Sequence, residues 1–293
     1  MEQVVDVSRS KLGDRDRLRS LANVIEQAAE RDRTGADHLA PDDSGVTDVT
    51  DVTDLAEPYA AATAEFYDLL ATGHWDSFGA KLATLLAGVD PAAGPIIDVG
   101  AGTGAGLRHL VSAVPRASIF AIEPSRAMRV ALHARLTLDP VLRAITTVDP
   151  RPFGSAELPV RAGALIASAV LGHLTDGERH RLWRFVADRL DPGAPAVVEV
   201  LPPFRPFELA PTRYRQVAVG ELTYEGWQSG RPADDLHMAW TMTYRVLRRD
   251  EVIAEHEIVC RWRCFSPDDI RAEVERYRLD VVEHDDCVVL THA

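Results

Sequence analysis

The sequence predicts an α/β protein built on a doubly wound, mostly parallel seven-stranded sheet with helices on both faces. Three observations predict it. Short apolar runs at 96–99, 118–122 and 196–200 are too uniformly hydrophobic for strands with one wet face, so they belong in a sheet covered on both sides. These runs alternate with segments of helical periodicity, the order expected of a parallel sheet. The first run leads directly into Gly100-Ala101-Gly102-Thr103-Gly104-Ala105-Gly106, a turn that lets a ligand approach backbone at the carboxyl end of a strand.

Residues 14–33 place Leu18, Leu21, Val24, Ile25 and Ala28 at near-helical spacing and read as a short amphipathic helix. Residues 34–53, rich in Asp, Gly, Thr and Ser, read as a mobile acidic linker, so residues 1–54 stand apart from a domain at 55–293. A helix is expected at 60–70, with Phe66, Tyr67, Leu69 and Leu70 on its apolar side. A second starts at Trp75 and Phe78 and ends near Val89, before Pro91 and Pro95.

The α/β part follows: strand 96–99, helix 105–114, strand 118–122, helix 125–136 capped by Ser125, strands 144–148 and 164–170, helix 176–190, a turn at Asp191-Pro192-Gly193, and strand 196–200. Within 204–264, the segments 213–224, 238–247 and 252–264 carry β-branched and aromatic residues in partial alternation. They predict an antiparallel hairpin appended to the parallel core. Pro267 opens a helix to about Tyr277 with Ser266 as its cap, and Val281-Val282 and residues 287–290 finish the sheet.

The 293 residues suffice for one large core with an appendage. A net charge of -13 argues against a broad nucleic-acid surface, which needs clustered cations. Cys260, Cys264 and Cys287 have no metal-ligand spacing and no disulfide pattern, so a reducing cytoplasm is expected. No apolar run has signal-peptide or membrane-span length, and no HxxxH or tight His/Asp cluster suggests a metal.

Gly100-x-Gly102-x-x-Ala105 also fits the relaxed dinucleotide fingerprint, so the glycines leave the cofactor open. Asp98 discriminates: its carboxylate would repel a pyrophosphate over the turn and attract an ammonium-bearing amino-acid moiety. Glu123, after the second strand, is placed to accept both hydroxyls of a ribose. Asp149, after the third, is placed to accept from an adenine amino group, with a turn or cap aspartate as the competing reading.

In this order these residues resemble the class I S-adenosylmethionine-dependent methyltransferase family. Residues 98–106 match its first motif, Glu123 with Pro124-Ser125 its ribose-binding acid, and Asp149 with Pro150 its adenine-side acid. Residues 166–174 match its fourth-strand segment, and Phe66-Tyr67-Asp68 with Trp75 its upstream lid, so the likeness spans about 58–293. The resemblance implies S-adenosyl-L-methionine held by Tyr67, Asp98, Gly100, Ala101, Gly102, Thr103, Gly104, Glu123, Pro124, Asp149, Pro150 and Ser168. Many members carry an acid where Ala167 or Ser168 stands here, and Pro150, Pro152 and Pro159 give the adenine-side wall its own path.

For the chemistry, His173 is the base candidate: it follows the fourth strand, and an ordinary histidine titrates near neutrality. A loop- or helix-capping histidine is the competing reading. Glu199, on the fifth strand, is set aside as readily aimed away from the pocket. The resemblance implies that the appended hairpin lies over the substrate side, so Tyr224, Trp227, His237 and Trp240 are expected to form an aromatic substrate pocket, although Trp240, Met242 and Tyr244 also fit one face of a strand. Arg205, Arg213 and Arg215 read as a solvated strand face, with recognition of an acidic substrate as the alternative.

The expected function is methyl transfer to an oxygen or nitrogen of a small molecule, a secondary metabolite, in a bacterial cytoplasm; the low lysine content resembles GC-rich bacteria. A peptide or protein methyltransferase, a nicotinamide-dependent dehydrogenase and a cofactor-binding protein without methyl transfer are the alternatives. A homodimer is left open, and neither nucleic acid nor membrane is an expected partner.

Overall fold

The computed structural model describes residues 56–71 and 73–292; the expected helix at 14–33 and linker at 34–53 lie outside the described residues. Helices α1 (Ala56–Leu70) and α2 (His74–Leu85) precede the sheet. Its parallel strands are β1 (Ile96–Val99), β2 (Ile119–Ile122), β3 (Thr146–Asp149), β4 (Ala164–Ala167) and β5 (Ala196–Glu199). Between them run α3 (Leu107–Ala113), α4 (Arg126–Leu138), α5 (Pro140–Ile145) and α6 (Asp176–Arg189). The chain then forms β6 (Leu209–Val219), β7 (Leu222–Pro232), β8 (His237–Arg248) and β9 (Glu251–Arg263), and closes with α7 (Pro267–Val274), β10 (Leu279–His284) and β11 (Cys287–His292).

The seven-stranded sheet has the order β10-β11-β5-β4-β1-β2-β3, with β11 antiparallel to β5. Strands β1, β4 and β5 are buried along their whole length, as their apolar sequences demand, and a hydrophobic cluster covers each face. Caps fix the helix starts. Ser125 Oγ accepts from the Met128 N–H, and Thr175 forms a capping box with Glu178 at the start of α6.

Several elements differ from expectation. The third strand starts at Thr146 because α5 occupies the preceding residues; Asp139 Oδ1 accepts from the Val141 and Leu142 N–H groups, and Pro140 takes the first turn. The fourth strand stops at Ala167, before Ala169 takes a positive φ of 50° and residues Leu171–His173 form a 3-10 turn. The appended hairpin is part of a larger four-stranded antiparallel sheet in the order β6-β7-β8-β9. The segment 213–224 is not one strand: Gly220, at φ 59°, turns the chain between β6 and β7.

This second sheet rests on α1. Phe66, fully buried, stacks on Tyr244 with ring centroids 4.8 Å apart, and Leu70, Val246, Met242 and Ile258 complete the contact. Among the described residues no helix is long and apolar enough to cross a membrane.

Candidate active site

The carboxyl edge of the parallel sheet collects the polar residues that its apolar strands exclude. Asp98 lies in β1, aligned with Ala121 of β2 and Ile166 of β4. The chain then turns: the Gly100 and Ala101 N–H groups donate to the Ile122 carbonyl at 2.9 and 3.0 Å, and Gly104 N–H donates to the Ala101 carbonyl. Gly100, at φ 71°, has Val170 Cγ2 only 2.6 Å from where a Cβ would stand. Gly102, at φ 56°, has no neighbour nearer than 4.0 Å to that position, so its backbone faces open space that a ligand can fill.

Asp98 is buried, and among the described residues no hydrogen bond to its carboxylate is recorded. Burial, reinforced by the charge of Glu123, pushes its pKa up to about 7. A buried acid without a donor calls for a cationic partner from outside the chain. Glu123 is placed differently. Its Oε2 accepts from the Gly102 N–H and its Oε1 from the Ser125 N–H, both at 2.7 Å, so it ties β2 to the glycine turn. Arg129 steadies the same corner by donating to the Glu123 and Pro150 carbonyls.

Asp149 ends β3 but serves Arg151, which donates through Nε at 2.9 Å and Nη2 at 2.6 Å and holds the carboxyl below its ordinary range. Thr103 is buried, and its hydroxyl donates to Asp68 Oδ1 at 2.6 Å. Arg135 donates to Asp68 Oδ2 and to the Thr103 carbonyl. Asp68 therefore joins α1 and α4 to the glycine turn, a role the sequence reading did not assign. Only its place in Phe66-Tyr67-Asp68 marked it, and Arg135 carried no mark.

Tyr67 also faces this edge: burial, then the charges of Glu199, Asp68 and Glu123, push its hydroxyl up to about 12. Ser168 follows β4 and donates to Glu199 Oε2 at 2.6 Å, so Glu199 points along the edge toward β4, contrary to the expectation that set it aside. His74, at the start of α2, lies 3.7 Å from Glu199 Oε1. His173 is exposed and lies edge-on to Trp262, ring centroids 4.8 Å apart.

Register separates the four expected pocket aromatics. Trp240 pairs with Gly230 and Cys260, on the face that carries Met238, Met242 and Tyr244 and turns toward the core. Tyr224, opposite Val246, shares that face but packs on Phe66. Trp227 and His237 lie on the opposite face and do not join the site. Trp227 sits between Arg213 and Arg245 and donates to Glu225, while His237 Nδ1 lies 2.7 Å from Asp234. Arg213, on β6, pairs with the buried Glu225, whereas Arg205 precedes β6 and pairs with Asp269 of α7, so it is not part of a strand face.

Two tryptophans close on glycines of this edge, Trp75 from α2 and Trp262 from β9. A Cβ on Gly106 would stand 2.4 Å from the Trp75 indole, and one on Gly172 would stand 2.3 Å from that of Trp262.

No family model matches the chain, and no curated protein matches it. Solved structures do. DesVI of Streptomyces venezuelae aligns with a TM-score of 0.64 at 19% identity over 80% of this chain and 98% of its own. The sugar N-methyltransferase KedS8 of a Streptoalloteichus species gives 0.58 at 19% identity, over 87% and 99%. CalS10, an amino pentose methyltransferase of Micromonospora echinaspora solved with bound S-adenosylmethionine, gives 0.61 at 18% identity, over 80% and 96%. The chain has the fold of these proteins.

Proposed function

We propose that this chain transfers a methyl group from S-adenosyl-L-methionine to an oxygen or nitrogen of a small molecule, a secondary metabolite, in a bacterial cytoplasm. The observation that carries the reading is Asp98: a buried carboxylate, without a recorded donor, at the end of a strand that opens into a glycine turn facing open space. The ammonium of the cofactor's amino-acid end is the partner such an acid needs. When bound, the cofactor supplies a methyl group activated by its sulfonium.

The chain's own residues bind and orient. Asp98 holds the ammonium, and Gly100, Ala101, Gly102 and Gly104 offer backbone at close approach. Glu123, fixed by two backbone donors, keeps further oxygen lone pairs for ribose hydroxyls. Asp149 sets Arg151 and Pro150 at the adenine end. Tyr67 and Thr103, joined through α1, close the site from above and exclude water. The β6–β9 sheet with Trp240 on its inner face forms a roof suited to a small acceptor, which favours a metabolite over a folded protein. Since KedS8 is described as a sugar N-methyltransferase and CalS10 as an amino pentose methyltransferase, amino sugars are the first acceptors to test.

Calorimetry decides between cofactors. S-adenosylmethionine should bind and NAD should not. Heat from NAD alone would remove this reading, and product methylation detected by mass spectrometry with an amino-sugar panel would establish the transfer.

A further inference from the structure

The geometry points to Glu199 as the group that receives the acceptor's nucleophilic nitrogen and takes a proton from it. This rests on the methyltransferase reading and assigns a residue to its chemical step. Glu199 ends β5 on the same carboxyl edge as Asp98, between β4 and β11. Its side chain is 1% exposed and lines a narrow cavity with Leu171, Gly172, Leu201, Trp262 and Arg263, beneath the second sheet.

The charge inventory around it is one-sided. Tyr67, His74, Ser168, Asp286 and Lys81 face it from α1, α2, the β4 end and the β10–β11 turn. Lys81 is paired with Asp286, Arg135 with Asp68, and Arg151 with Asp149. Arg263, in the same cavity, is paired with Asp176 and Glu273, and His74 is the remaining basic neighbour, its pKa held by burial below the ordinary histidine value. Glu199 therefore has donors in the Ser168 hydroxyl and the Ala169 backbone, while the Lys81 and Arg263 side chains near it are paired with other carboxylates. With Asp98 assigned to the cofactor's ammonium, Glu199 is the second buried acid of this edge that a cation from outside can satisfy, and a protonated amine is such a cation.

Burial pushes Glu199 up to about 7 and the charge of Asp286 adds to this, while the Ser168 hydrogen bond opposes it. A base of that strength accepts and releases a proton near neutral pH. The carboxylate takes one proton from the acceptor's ammonium and frees the nitrogen lone pair. That pair forms the N–C bond as the S–C bond breaks, with the latter's electrons left on sulfur. The positive charge passes from sulfonium to methylammonium, and Glu199 returns its proton to solvent.

Protein labelled with carboxyl-13C glutamate, saturated with S-adenosylhomocysteine, tests this by NMR titration. One glutamate should titrate near pH 7, vanish in Glu199→Gln and titrate higher in Ser168→Ala, which loses the donor that favours the ionised form. Cyclohexylamine should lower that apparent pKa by about one unit, and cyclohexanol should not move it. In Glu199→Gln the dissociation constant of cyclohexylamine should rise about tenfold while that of S-adenosylhomocysteine stays within about threefold. An ordinary glutamate pKa in the wild type, no response to the amine, or equal amine affinity in Glu199→Gln overturns the proposal. Failure of S-adenosylhomocysteine to bind the wild type removes the cofactor reading instead, and the amine response of the Glu199 signal is still measured in the free protein.

Discussion

The carboxyl edge of the parallel sheet and the β6–β9 sheet use their residues in opposite ways. At the parallel edge a functional group sits where the chain leaves a strand, so its neighbours in sequence announce it: Asp98 precedes the glycines, and Glu123 precedes Pro124 and the Ser125 cap. On β6–β9 a residue's role depends on which face it takes, and position in the chain says little. Trp227 and Trp240 both lie within strands of this sheet, yet one stacks between arginines outside and the other faces the core. The first region is specified locally, and the second by register.

Four experiments break or sharpen that contrast, in descending order of effect. Asp98→Ala should raise the dissociation constant of S-adenosylmethionine about 100-fold or more in calorimetry, since removing one partner of a buried ion pair costs about 3–5 kcal/mol, with circular dichroism unchanged. Binding within threefold of wild type would strip the glycine turn of its supposed partner. Phe66→Ala should lower the urea-unfolding free energy by about 3–5 kcal/mol, because it empties the fully buried contact between α1 and the second sheet. A loss under about 1 kcal/mol would mean that the roof stands without α1.

The third concerns pH. Asp98 and Glu199 have folded-state values of about 7, above their ordinary 3.8 and 4.5. Between those limits the folded chain binds more of these protons than the unfolded chain, so their contribution to stability falls as pH rises. His74, with a lowered value, acts in the opposite sense, so the comparison is made against a variant. Asp98→Asn should gain stability relative to wild type from pH 4.5 to 7 and stay level above it. A constant difference in urea midpoints would refute the raised carboxyl. The smallest effect belongs to Trp227→Ala, which should leave cofactor and acceptor affinities within about twofold, whereas Trp240→Ala should weaken the acceptor alone. Equal effects of the two would erase the distinction between faces.

The sheet, its order of helices and strands, and the glycine turn were legible because each depends on a few adjacent residues. Ser125 and Ser266 could be named as caps for the same reason, and both cap. Helix α5 was not legible, since Asp139-Pro140 reads as an interruption until its cap is seen to restart the chain as helix. Glu199 was passed over because a strand alone does not say that Ser168, 31 residues earlier, lies beside it. His173 was placed correctly just past β4, but its surroundings depend on Trp262 of a distant strand. Asp68 and Arg135, 67 residues apart, meet only in the folded chain.

Gly106 has an ordinary right-handed backbone, φ -72° and ψ -24°, which any residue adopts. Its requirement comes from the indole of Trp75, so what reads as the last glycine of a ligand-binding run belongs to a tryptophan on another helix. The two positions are sterically coupled: alanine at 106 fits only where 75 carries a smaller side chain or the indole moves. Gly172 stands in the same relation to Trp262, so a residue of β9 limits what the turn after β4 can carry.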